Sequence, residues 1–246
     1  MPRFFVKPDQ IVDGKVTICG DDASHISFSL RMAKGEHIFV SDGTGCEYDC
    51  VLVDFLPGTV IGEIVSSQTN SSEPPLRIYL YQALPKGDKL ETVIQKAVEC
   101  GVHEIIPFES DYCVVKVKAD AEERKTIRRN RIAEEAAKQC GRGYIPRVLP
   151  TTSFDQAIVC ASNADISLIC YEDEKGTTLK EALLAARERK ISSVSVIIGS
   201  EGGFSKKEIQ SARENGIASV SLGKRILRTE TAPIFVLSGL SYEFEL

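Results

Sequence analysis

The sequence predicts an α/β protein in two parts: a small N-terminal β-barrel or meander, then a domain in which strands alternate with helices over a parallel sheet. Three observations carry this. Residues 1–70 show short apolar runs separated by turn signals; residues 66–75 are polar and end in Pro74-Pro75; and from Leu76 onward strand-like runs alternate with helix-period runs.

In the first part, Asp42-Gly43-Thr44-Gly45 joins residues 37–41 to residues 48–55, and Pro57-Gly58 turns the chain into residues 59–65. Residues 24–32 read as a helical turn. Residues 66–75 read as a linker, which sets the expected domains at 1–70 and 76–246.

Beyond the linker, residues 76–84 read as a strand, and Leu90, Val93, Ile94, Ala97 and Val98 repeat at the spacing of one helix face, with Gly101 placed to end it. Residues 104–108 supply the next strand, and a crossover of this length makes the two strands parallel. A second helix is expected over residues 120–140, with Ile132, Ala133, Ala136, Ala137 and Cys140 as its packing face. The last third repeats the alternation: strand 166–171, helix 179–189, strand 194–198, helix 206–215, strand 219–222, and a final helix after Thr229. Ser205 and Glu208 form a capping box at one helix start, and Gly216 is placed to end that helix.

A chain of 246 residues with a net charge of −5 is a globular-enzyme candidate rather than a protein that coats nucleic acid. No apolar run is long enough to span a membrane and the first residues lack a signal-peptide core, so a cytoplasmic protein is expected. The eight cysteines are read as reduced, mostly buried thiols without disulfides. No metal is expected, because the chain has no Cys-x-x-Cys pair and only three histidines.

Charge is nonetheless unevenly placed. From Arg124 to Arg147 there are eight Lys or Arg residues against two acids, Glu134 and Glu135. Arg124, Arg128, Arg131, Lys138 and Arg142 recur at helical spacing and lead into Gly141-Arg142-Gly143-Tyr144, a loop with backbone access and a stacking ring. Such a face is either a solvated charged surface or an RNA contact.

Ligands of open parallel sheets bind beyond the carboxyl ends of the strands, so the loops after Tyr171, Ile198 and Leu222 should converge on one site. In the middle loop, Gly199-Ser200-Glu201-Gly202-Gly203-Phe204, three glycines let backbone come close to a ligand. Its spacing is not that of the dinucleotide-binding G-x-G-x-x-G fingerprint. The next loop, Leu222-Gly223-Lys224-Arg225-Ile226-Leu227-Arg228-Thr229-Glu230-Thr231-Ala232, mixes apolar, cationic and acidic residues where a surface turn needs neither Ile226 nor Leu227.

These two loops resemble those of the RsmE family, which carry patterns like I-G-P-E-G-G-F-S and L-G-x-R-I-L-R-x-E-T-A; here they are residues 198–205 and 222–232, in the same order. The resemblance extends to Arg3-Phe4-Phe5-Val6, His25, Leu30-Arg31-Met32, Asp42-Gly43, Gln82-Ala83-Leu84-Pro85-Lys86-Gly87, Gln95-Lys96 and residues 135–142. One departure is Ser200, where the family pattern shows proline.

What the resemblance implies is a PUA-like RNA-binding β-barrel over 1–70 and a SPOUT methyltransferase domain over 76–246 whose last segment threads a trefoil knot. It implies a homodimer that methylates N3 of a uridine in the decoding region of 16S rRNA, in the small ribosomal subunit, with S-adenosylmethionine as cofactor. Carried onto this sequence, Tyr171, Ile198, Gly199, Glu201, Gly202, Gly203, Leu222, Gly223, Ile226 and Leu227 would form the cofactor pocket. Arg228 would favour the developing uracil anion, with Glu230 or Glu201 accepting the proton or holding that arginine. Arg3, Arg31, Lys86, Arg128, Arg131 and Arg142 would contact RNA. Two rival classes are a non-enzymatic RNA-binding module, which would bind no cofactor, and a cysteine-dependent enzyme, against which no cysteine falls in the expected ligand loops.

Overall fold

The computed structural model of the 246-residue protein describes residues 1–117 and 119–246. These fall into two compact units, Met1–Glu73 with Ala137–Ile145, and Pro74–Ala136 with Pro146–Leu246.

In the first unit, β1 (Arg3–Phe5), β2 (Ile11–Val12), β3 (Lys15–Cys19), β4 (His37–Ser41), β5 (Cys46–Leu56) and β6 (Thr59–Thr69) form one sheet in the order β1-β4-β5-β6-β3-β2. Strand alternation sends Val16, Ile18, Ile38, Val40, Cys50, Leu52 and Val60 into a single core with Phe4 and Ile26. Between β3 and β4, the helical turn begins at Gly20, earlier than expected: α1 (Gly20–Ser24) runs into a π-helical turn, His25–Ser29. Asp21 and Asp22 favour that start, lying where the helix dipole is positive.

The linker expected over residues 66–75 is corrected in its first part. Ser66–Thr69 belongs to β6 and pairs with Cys46–Asp49 of β5. Its polar side chains are exposed on the hairpin, so polarity there reports solvent rather than loss of structure. Glu73 then accepts hydrogen bonds from the backbone N–H groups of Gly143 (2.9 Å) and Tyr144 (3.1 Å), tying residues 137–145 into this unit.

The second unit is built on an all-parallel sheet of β7 (Arg77–Ala83), β8 (Glu104–Glu109), β9 (Arg147–Val148), β10 (Thr152–Ser153), β11 (Ile166–Cys170), β12 (Ser193–Ile198) and β13 (Ala218–Val220). Its order is β10-β8-β7-β12-β11-β13, with β9 also on β8. The helices are α2 (Lys89–Glu99), α3 (Ala119–Cys140), α4 (Phe154–Ala161), α5 (Leu179–Arg187), α6 (Lys206–Glu214) and α7 (Ala232–Phe244). The whole apolar face read for α2 is buried, and the capping box of Ser205 and Glu208 forms at α6. The helix α4 has no counterpart in the sequence reading: Ser153 caps it by accepting from the Gln156 N–H, but eight residues hold too few apolar repeats to stand out.

The cysteines are free thiols, but only Cys50 and Cys113 are buried, while Cys19, Cys46 and Cys160 are exposed. The expectation of mostly buried thiols is therefore corrected. Among the described residues, no helix is long and apolar enough to cross a membrane.

Candidate active site

Strands β7, β12, β11 and β13 are neighbours in the sheet, so the loops at their carboxyl ends meet. They enclose a cavity of about 520 Å³, lined by residues 170–172, 198–203 and 221–230 with Lys89 and Ala232. Every residue expected to hold a cofactor lies on it, as do Arg228 and Glu230. Volume and lining suit a small ligand with an apolar body and a few polar groups.

The loop after β12 is a tight turn, closed by the Gly203 N–H donating to the Ser200 carbonyl at 3.0 Å. Backbone therefore shapes it, and Ser200 in place of proline does not open it. The serine hydroxyl is buried without a hydrogen-bond partner. The glycines serve different ends. A Cβ on Gly202 would come within 2.7 Å of Tyr112 Cβ, so Gly202, which also lines the cavity, is needed for close packing on Tyr112. Gly203, at φ +66, faces the Glu172 carboxylate, which lines the cavity; a side chain there would fill the space between them.

A buried hydrogen-bond junction joins this turn to the next loop. Gln82, at the end of β7, is fully buried and donates from Nε2 to the Thr229 hydroxyl (3.1 Å) and the Gly199 carbonyl (3.4 Å). The Thr229 hydroxyl donates to the same carbonyl at 2.7 Å. Neither residue carried a signal as a site former in the sequence.

Charged groups around the cavity sort into two kinds. Glu201 accepts from Lys89 Nζ at 2.7 Å and from the Lys86 backbone N–H at 3.1 Å. Burial alone would push its carboxyl up, but these hydrogen bonds outweigh burial and hold it below the usual carboxylate range. Lys89, absent from the sequence reading, also stands 3.8 Å from Glu230 Oε2, an atom buried without a hydrogen-bond partner. Arg228 is 3.9 Å from Glu230 and its side chain is 84% exposed. Of the two acids expected to accept the proton or hold Arg228, Glu230 lies beside the arginine and Glu201 is taken by Lys89.

Ile226 is 87% exposed and reaches no core, which leaves an aliphatic side chain on the cavity rim for a ligand or partner to cover. Cys170, the last residue of β11 rather than part of a ligand loop, also lines the cavity. Burial pushes its thiol up to about 12, so it is held protonated and is a poor nucleophile.

The residues expected to contact RNA divide by exposure. Arg31, Lys86, Arg128 and Arg131 are exposed, with Arg128 paired to Glu91 at 2.8 Å. Arg142 is only 3% exposed and holds Glu73 at 2.6 Å, so it does not share the open basic face its spacing suggested. Arg3 is half-buried, paired with Glu47 and stacked on the Phe39 ring at 5.4 Å. Arg129, not singled out in the sequence, is likewise buried on Glu122.

Comparison with known proteins places this geometry in a family. The RNA methyltransferase domain family matches residues 72–241, which include every residue lining the cavity. Ribosomal RNA small subunit methyltransferase E of Bacillus subtilis is 34% identical over 100% of this chain and 98% of its own. The protein of that name from Synechocystis is 31% identical over 97% of this chain and 77% of its own. The crystal structure of a ribosomal RNA small subunit methyltransferase E from Neisseria gonorrhoeae bound to S-adenosyl methionine has a TM-score of 0.87 at 30% identity, covering 98% of this chain and 97% of that one. With both units matched end to end, the chain belongs to the ribosomal RNA small subunit methyltransferase E family.

Proposed function

We propose that the protein transfers a methyl group from S-adenosylmethionine to N3 of one uridine in the decoding region of 16S rRNA, acting on the small ribosomal subunit in the cytoplasm. The observation that carries this reading is the cavity formed by the 198–203 and 221–230 loops, in a chain whose full length matches the family. An RNA-binding module without catalysis has no use for that cavity.

The cavity residues fit the cofactor. Ile198, Leu222, Ile226 and Leu227 offer an apolar wall for adenine, and the backbone of Gly199, Gly203 and Gly223 offers polar groups without side chains in the way. Tyr171, Glu201 and Gly202 complete the wall. When bound, the cofactor supplies an electrophilic methyl group on a sulfonium.

The chain's own residues then have to take a proton from N3 and steady the charge left on the ring. Glu230 is the acceptor in this reading, because it lines the cavity beside Arg228, whereas Glu201 is occupied by Lys89 and held low. The N3 proton would pass to Glu230, and Arg228 would stabilise the negative charge left spread over the ring carbonyls. Arg228 is exposed here, so substrate binding is what fixes its guanidinium. Lys89 braces Glu201 and offsets the local negative charge.

In the same reading, residues 1–70 are a PUA-like barrel that holds RNA, residues 76–246 are a SPOUT domain, and the chain leading into α7 threads a trefoil knot. Arg31, Lys86, Arg128 and Arg131 contact phosphates. The protein works as a homodimer, supported by Phe235 and Tyr242, which lie exposed on α7. Calorimetry with S-adenosylmethionine tests the core of this proposal. One site per chain is expected, and no heat at millimolar ligand would overturn the cofactor assignment.

A further inference from the structure

A central parallel strand normally buries both faces and reads as a continuous apolar run. Strands β7 and β12 are buried along most of their length but do not read that way. Arg77-Ile78-Tyr79-Leu80-Tyr81 and Ser193-Val194-Ser195-Val196 alternate, which gives this sheet one polar face.

Register turns the alternation into a row. Glu104 of β8, Tyr79 of β7, Ser195 of β12 and Ser167 of β11 are direct neighbours across the sheet, and Arg147 of β9 stands beside Glu104. One step toward the amino ends, Arg77 neighbours Ser193. The helix α4 covers part of this sheet but ends at Ala161, and beyond it Arg77, Tyr79, Glu104, Ser193 and Ser195 line a cavity of about 610 Å³. The cavity lies at the amino ends of the strands, opposite the loops of the methyltransferase site.

We infer that this cavity binds a nucleoside phosphate, either a free nucleotide or one nucleotide of a single-stranded RNA segment. Its size suits one nucleotide. Arg77 is exposed at the rim and makes no ion pair among the described residues, which leaves its guanidinium for a phosphate. Tyr79 is half-buried in the wall, its ring set edge to face with His103 at 5.7 Å, and supplies an aromatic surface for a base. Ser193 is already tied to Asp165, and Tyr81 is buried, so these two shape the wall. Among the described residues, no leucine, isoleucine, valine or methionine lines the cavity, which makes it a poor seat for an apolar protein segment. The RNA arm rests on the function proposed above; the chemistry of the cavity does not.

The test uses the full protein with adenosine monophosphate, uridine monophosphate and a ten-nucleotide single-stranded RNA as probes, titrated by calorimetry at several salt concentrations. Arg77→Glu should weaken binding of the probe that uses this cavity at least tenfold. Where that probe is RNA, it should also lower the salt slope by about one phosphate contact. Tyr79→Leu, which keeps the apolar volume, should weaken it about tenfold. Losses on mononucleotides alone identify a free-nucleotide site, losses on RNA alone a strand contact, and both support the inference. Unchanged affinity for all probes in both variants, with intact circular dichroism, overturns it. S-adenosylmethionine affinity should stay at wild type in both variants. Its absence in the wild-type protein would instead sink the proposed function.

Discussion

Gln82 and Thr229 lie 147 residues apart in sequence, yet the amide of one donates to the hydroxyl of the other at 3.1 Å, and both hold the Gly199 carbonyl. One buried amide therefore sets the distance between the two loops that enclose the cavity. Gln82→Leu removes the donor while keeping bulk. It should cost about 1–3 kcal/mol of stability and weaken cofactor binding about tenfold. Urea unfolding and calorimetry read the two effects separately.

Lys89 is the second joint. Replacing it with methionine leaves Glu201 with only the Lys86 N–H as an outside donor, and its carboxyl should titrate upward toward the ordinary range. Because Glu201 is held low in the fold, the stability it brings is present above its unfolded value near 4.3 and is lost as pH falls through the lower folded value. The variant should lose that contribution, so its melting temperature should vary less with pH below about 5. Carbon-detected NMR of the glutamate carboxylates checks the direction. An unmoved Glu201 would remove Lys89 from the account.

Arg142 and Arg128 should behave oppositely, although both belong to the basic run. Arg142→Ala strips the partly exposed Glu73 of its buried partner and should destabilise by about 2 kcal/mol. Arg128→Glu combined with Arg131→Glu should leave stability nearly unchanged while lowering the salt slope of RNA binding by about two phosphate contacts. An RNA slope that changes with Arg142 and not with the pair would invert the assignment.

That contrast shows where the sequence could be read and where it could not. Periodicity exposes a face buried against local neighbours, so the apolar residues of α2 and the capped start of α6 were legible. The convergence of the cavity loops followed from the placement of ligands beyond the carboxyl ends of parallel strands. A charge is different, because its meaning depends on a partner elsewhere in the chain: Arg142 sits in a basic run that reads as surface, and its partner Glu73 is 69 residues away. Lys89 was invisible for the same reason, since Glu201 lies 112 residues further on. The short α4, and Ser66–Thr69 of β6, escaped because eight residues and four polar residues carry too little pattern.

Arg228→Lys keeps the charge and loses the planar fork. With saturating cofactor and small ribosomal subunits, the single-turnover rate should fall about a hundredfold, as on losing a preorganised donor. Glu230→Gln should fall by a similar factor, and Glu201→Gln by much less, because Glu230 stands beside Arg228 while Glu201 is held by Lys89.

The central claim concerns the atom that receives the methyl group. Small ribosomal subunits lacking the modification, incubated with the protein and S-adenosylmethionine, can be digested to nucleosides and analysed by mass spectrometry against standards for each methylated base. The account predicts 3-methyluridine at one position of 16S rRNA, at up to one methyl group per subunit. Methyl appearing on another atom or base, or no incorporation by a protein that binds the cofactor, would contradict it.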